Sequence, residues 1–134
     1  MKRVVLTSLL LMAGCNNLGF VLPTLDGIWD IPLDENGNGI AILVENGVIT
    51  QYDQGTGEFD ELQSQGSISQ SGGIVSFRVQ ALQTFVDLND SRPAEFVVTG
   101  EGPVQEDGSI RIFLRFSMVD GDAEGGLDAI MRRR

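Results

Sequence analysis

Apolar and polar residues alternate along this chain in short runs separated by turn chemistry. In Gly27 to Leu33 (GIWDIPL), Trp29, Ile31 and Leu33 fall on one face of an extended segment. Ile40 to Glu45 and Val48 to Asp53 are two further runs joined by Asn46-Gly47. Asn-Gly between apolar runs marks a type I′ hairpin, because both residues tolerate the positive φ that this turn needs. Ile74 to Gln80 sets Val75, Phe77 and Val79 against Ser76, Arg78 and Gln80. The longest alternation runs from Ser109 to Val119. It places Ile110, Ile112, Leu114, Phe116 and Met118 on one side, with Arg111, Arg115 and Ser117 facing water. Leu127 to Met131 reads as a closing strand.

A pattern G-x-[IV]-x-x-x-G-x-I-x-x-F occurs twice, from Gly66 to Phe77 and from Gly102 to Phe113. Two copies are too few for a solenoid, so they read as two hairpins with shared turn chemistry. Ala81 to Asn89 fits two descriptions. Leu82, Phe85 and Leu88 suit a helical turn, while Phe85 to Leu88 suits a strand ending at the Asn89–Pro93 turn. Gln54 to Gln65 (QGTGEFDELQSQ) reads as the longest loop, with Phe59 and Leu62 either covering a barrel end or forming a binding loop.

Seven or eight antiparallel strands must bury one face and protect two edges. Closure into a barrel does both, whereas a sandwich does only the first. The expected fold is all-β: a small antiparallel up-and-down barrel of about eight strands, with a two-sheet β-sandwich as the alternative. Gly27-Ile28-Trp29 resembles the G-x-W that opens the first strand in lipocalins. In that family the Trp closes one end of the barrel, often beneath an Arg from a late strand. The resemblance therefore implies Trp29 as a barrel-end anchor and Arg132 as its partner. The second lipocalin motif, T-D-x-x-Y, has no counterpart here. Avidin-like barrels match the length, but one Trp cannot build their biotin pocket of several tryptophans.

The chain opens MKRVVLTSLLLMAGCNN: a basic pair, an apolar run, two small residues and Cys15. That is the order of an export signal, and the run is about half the ~20 residues of a spanning helix. Leu11 to Cys15 resembles the lipobox of bacterial lipoproteins. The resemblance implies a signal peptide over 1–14, a lipidated Cys15 and tether over 15–24, and one domain over 25–134. Cys15 is the only cysteine, and lipidation would consume its thiol. Asn16 leans towards the outer membrane, facing the periplasm, if the source is Gram-negative.

Nine Lys and Arg stand against nineteen Asp and Glu, for a net charge of −10; losing Lys2 and Arg3 with the signal would deepen the deficit. Such a chain does not bind nucleic acid through phosphates. It is repelled by anionic headgroups, so a lipid anchor would hold it at a membrane. Arg132-Arg133-Arg134 reads as a solvated tail. The length suits one domain with one core, acting as a monomer.

Asp34 to Glu45 (DENGNGIAILVE) matches the EF-hand loop D-x-[DN]-x-[DN]-G-x₅-E residue for residue. Gly27, Pro32 and Asn46-Gly47 deny it flanking helices. If Ile40 to Glu45 is extended at about 3.3 Å per residue, Glu45 cannot reach an ion held near Asn38. What remains is a weak calcium site in the turn, from Asp34, Asn36 and Asn38 with help from Asp120 to Glu124. No other cofactor is expected.

The chain has no His, no G-x-S-x-G elbow and no P-loop, and its carboxylates cluster in turns, so an enzyme is not expected. Two readings remain. One is a lipid-anchored cell-envelope protein with a non-catalytic binding or interaction role. It would act through rim and loops on another envelope protein, as small periplasmic protease inhibitors with eight-stranded barrels do. The alternative is a lipocalin-like carrier of a small apolar ligand in the barrel mouth. The large inward side chains argue for a filled interior.

Overall fold

The computed structural model describes residues 20–84 and 93–134. The export segment, Cys15 and the Phe85–Leu88 stretch lie outside these residues. Eight strands form one closed up-and-down barrel: β1 (Gly27–Pro32), β2 (Gly39–Glu45), β3 (Val48–Asp53), β4 (Asp60–Ser71), β5 (Ile74–Gln83), β6 (Ala94–Pro103), β7 (Ile110–Met118) and β8 (Glu124–Arg133). Each strand pairs antiparallel with the next, and β8 returns to β1, so the barrel rather than the sandwich is the fold. The architecture is lipocalin-like.

Period-two patterning builds the interior. On β7, Ile110, Ile112, Leu114 and Phe116 are buried while Arg111, Phe113 and Arg115 face out. Trp29, Ile31, Ile42, Ile49, Phe96 and Met131 fill the axis from other strands, each with under 2 % of its surface exposed. At roughly 25 cal/mol per Å² of apolar surface removed from water, this packing is the dominant favourable term in the fold. The lumen is a core rather than a channel.

Turn chemistry sets the register. Asn46 (φ 54°) and Gly47 (φ 81°) carry the β2–β3 hairpin. The two repeat copies form the β4–β5 and β6–β7 hairpins. Their first glycines are both close approaches. A Cβ on Gly66 would lie 2.8 Å from the Arg78 carbonyl oxygen, and one on Gly102 would overlap the Arg111 carbonyl.

Three boundaries differ from the sequence reading. The long loop is only Gln54–Phe59, because Asp60 and Glu61 already pair with Tyr52 and Gln51. Leu62 therefore sits on β4. Asp60 to Gln65 are mostly exposed and polar, with Asp60 and Glu61 held by the ladder to β3 and Leu62 packed on the core. The closing strand begins at Glu124, since Gly125 and Gly126 pair with Phe116 and Arg115 without showing any side-chain pattern. β5 continues to Gln83 as strand rather than helical turn.

The seams are unequal. The β5–β6 ladder runs from Ile74↔Pro103 to Gln83↔Ala94, whereas Trp29↔Arg133 and Asp30↔Arg132 are the only registered pairs between β1 and β8. Pro32 has no N–H with which to extend that ladder.

Candidate functional site

One end of the barrel is shut by the segment Phe20–Asp26, which crosses it as a strap. Phe20 N donates to the Val104 carbonyl (3.0 Å). Gln70 brackets Leu22, accepting from its N–H and donating to its carbonyl, both at 2.8 Å. Leu22 and Leu25 pack on the core. Part of the stretch read as a tether is thus docked on the barrel.

Trp29 lies fully buried beneath the strap. Its Nε1 donates to the Leu25 carbonyl (2.8 Å), and the Arg133 guanidinium carbon stands 4.7 Å from the ring centroid. Arg133 also donates to the carbonyls of Asp26 (2.9 Å) and Thr24 (2.7 Å). The arginine over the tryptophan is therefore Arg133 and not Arg132. Register explains this: Arg133 pairs with Trp29 and shares its face, while Arg132 pairs with the outward Asp30. Arg132 instead bonds Asp107 (3.2 Å).

The opposite end carries the loops Leu33–Asn38, Gln54–Phe59 and Val119–Ala123. Inside it, the Tyr52 hydroxyl donates to Gln83 Oε1 (2.5 Å), and Gln83 Nε2 donates to the Gln54 carbonyl (3.1 Å). Both residues are buried. Burial, and then the neighbouring Asp53 carboxylate, push the Tyr52 hydroxyl well above the usual phenol range, so it remains a donor.

In the calcium-like turn, Asp34 Oδ1 accepts from the N–H of Asn36 (2.8 Å) and of Asn38 (3.1 Å). Its Oδ2 accepts from Asn38 Nδ2 (2.6 Å). The Asn38 side-chain bond, aided by those from the backbone, holds the Asp34 carboxyl below its ordinary value. Asp34, Asn36 and Asn38 thus share one turn whose donors engage both carboxylate oxygens, as an Asx-type turn does. Glu45 lies at the strap end of β2, so the full EF-hand ligand set is not assembled. Among the described residues no group of three His, Cys, Asp or Glu is placed to hold a metal ion.

The built feature at the loop end is a cleft of about 640 Å³ on the outside of β1, β2 and β3. Asp30, Ala41 and Asp53 face each other across the three strands and point away from the core. The loop after β3 folds back over them, which buries Ala41 and Asp53 although both face outward. Asp53 Oδ1 holds this loop by accepting from the N–H groups of Gly55 (2.8 Å), Thr56 (2.9 Å) and Gly57 (3.2 Å). Gly55, at φ 114°, comes so near the Gly39 carbonyl that a Cβ would lie 2.9 Å from it. Ile31, Pro32, Gly39, Ile40 and Ala41 line the cleft with Asp30, Asn38, Asp53, Thr56 and Arg132.

Arg134 borders this region. Its Nε and Nη2 donate to the two oxygens of Asp30 (3.1 and 2.6 Å), and its guanidinium lies 5.8 Å from the Phe59 ring centroid. Phe59 is half-buried there, while Leu62 packs against the core, so the two do not form one loop surface. A second hollow, of about 400 Å³, opens between β1 and β8, lined by Pro32, Leu33, Asp34, Asp128, Ala129, Ile130 and Arg132.

Sequence reasoning missed Asp30 and Asp53 as cleft residues. The available signal was Asp53-Gln-Gly-Thr-Gly57, an Asp followed by two glycines, which is how a carboxylate caps a tight loop.

No family model, no curated protein and no solved structure matches this chain. The fold is a closed eight-stranded β-barrel of lipocalin-like architecture with a cleft built on its outside at the loop end.

Proposed function

We propose that this protein is a carrier of a small, largely apolar ligand, held in the loop-end cleft rather than on the barrel axis. The observation that carries this reading is the cleft itself. Its volume falls within the ~300–1,000 Å³ of small-molecule sites, and an apolar floor with a few polar groups is how such sites are built. The filled axis leaves the ligand no place among the inward side chains. Native mass spectrometry of the chain purified from an exporting host tests it. A co-purifying organic adduct, lost in Ala41→Trp, is expected; an adduct indifferent to that substitution places the ligand elsewhere and sinks the reading.

The carrier works at the cell envelope, anchored through lipid on Cys15 after removal of residues 1–14. The order of basic pair, apolar run, small residues and cysteine supports this. Cys15→Ser should move the protein from the membrane fraction to the soluble one; no change would refute the anchor.

A second reading, contact with an envelope protein, is favoured by the short β1–β8 seam. Beyond its two registered pairs, the β8 edge has backbone groups that an extended partner segment could pair. Cross-linking from a photoreactive residue at position 128 would capture such a partner, and only self-adducts or none would count against it.

A further inference from the structure

We infer that the cleft selects ligands with a cationic, ammonium-type head, with Asp53 as the counter-ion. The inference rests on the carrier reading and adds the chemistry of its ligand. Charge accounting among the cleft residues leads to it. Arg132 is paired with Asp107, and Arg134 is paired through two hydrogen bonds with Asp30. No arginine hydrogen-bonds Asp53, whose residue is only 5 % exposed. Arg134 also lies within electrostatic reach of it, so Asp30 and Asp53 share one guanidinium and a negative charge is left over.

The Asp53 carboxylate is half used. All three of its loop hydrogen bonds fall on Oδ1, and no described residue donates to Oδ2. An incoming ammonium group would supply both a donor for this oxygen and the opposite charge. The rest of the cleft fits the body of such a molecule. Pro32 and Ala41 offer a small apolar floor, and Asn38 and Thr56 offer neutral polar atoms. A carboxylate or phosphate head would meet Asp53 with the same sign. The net charge of −10 draws cations towards the surface and repels anions, which reinforces that choice.

The test is a titration of the full chain, followed by backbone amide chemical shifts, with three probes of one chain length: hexylammonium, 1-hexanol and hexanoate. The expected result is saturable shifts at Gly39, Ala41, Gly55 and Thr56. Hexylammonium should bind about tenfold tighter than hexanol, the effect of one charged hydrogen bond, and hexanoate weakest. Asp53→Asn keeps an oxygen for the loop amides and should bring hexylammonium down to the hexanol value. Ala41→Leu fills the floor without touching the charge and should abolish binding of both. Equal affinity for hexylammonium and hexanol in the unaltered chain would overturn the ammonium inference while leaving the cleft a ligand site. An advantage retained in Asp53→Asn would overturn it too, as a surface-charge effect. If no probe shifts the cleft amides, the carrier reading falls with it.

Discussion

At the strap end, Arg133 lies over Trp29 and donates to two strap carbonyls; at the loop end, Arg134 reaches across the barrel's outside to Asp30 and makes no hydrogen bond to Asp53. Both arginines follow the same closing strand, one residue apart. One falls on the inward face and seals the core, and its neighbour falls outside and borders a cleft. The polar groups of the strap end are consumed by the strap: Asp26 accepts from the N–H groups of Asn46 (3.1 Å) and Gly47 (3.0 Å), and Gln70 is satisfied by Leu22. The loop end keeps a carboxylate oxygen and an apolar floor in reserve. One end of the barrel is thus closed by its own contacts, while the other leaves a cleft open.

Breaking the strap end should cost most. Trp29→Ala removes a fully buried indole and its bond to Leu25, and should destabilise by about 3–5 kcal/mol in urea melts followed by circular dichroism. Gly102→Ala drives a Cβ into the Arg111 carbonyl and should cost about 1–3 kcal/mol in the same assay. Arg133→Met keeps an apolar stem over Trp29 but loses the ring–cation contact and two hydrogen bonds. A loss of about 1 kcal/mol is expected, with a shift in Trp29 fluorescence.

The loop end should respond less in stability. Phe59→Ala removes a half-buried ring beneath Arg134 and should change stability by under about 1 kcal/mol, while weakening any ligand whose cleft Arg134 borders. A large drop in Tm would instead make Phe59 part of the core and blur the contrast between the ends.

The smallest effect is a dependence on pH. Hydrogen bonds from the Ser109 side chain and backbone, and then the Arg132 guanidinium, hold the Asp107 carboxyl at about 2, below its ordinary value. A depressed carboxyl contributes stability that is present above its unfolded value, near 4, and is lost as the pH falls towards 2. Asp107→Asn should flatten the acid slope of the melting curve between about pH 4 and 2. Asp107 is fully exposed, so the change is small. An unaltered slope would show that other carboxylates carry it.

Much of the fold was legible because period-two patterning is strong wherever one face is buried. Ser109–Val119 and Ile40–Asp53 correspond closely to β7 and to the β2–β3 hairpin. The pattern failed where backbone pairing, not burial, holds the strand. The first half of β4 is polar except for Leu62, and Gly125-Gly126 has no side chains to alternate; β6 was glimpsed only at Gly102–Val104 although Phe96 and Val98 alternate into the core. At the site, Trp29 was legible as an anchor from its place in G-x-W. Its arginine was not, because choosing between Arg132 and Arg133 needs the β1–β8 register. The Asp34 turn explains its own composition through three hydrogen bonds. Asp53 had been read only as the last residue of a strand.

The sequence by itself determined an all-β chain, its hairpin turns, the apolar faces and the tryptophan that anchors one end. These follow from local steric preference and from alternation, both of which are written residue by residue. The tertiary structure alone decided that β8 meets β1, which arginine covers Trp29, and that a loop bends back to make a cleft over Asp30, Ala41 and Asp53. Those outcomes depend on register across strands far apart in the chain. A shift of one residue exchanges inside for outside, and no local pattern records which shift is taken.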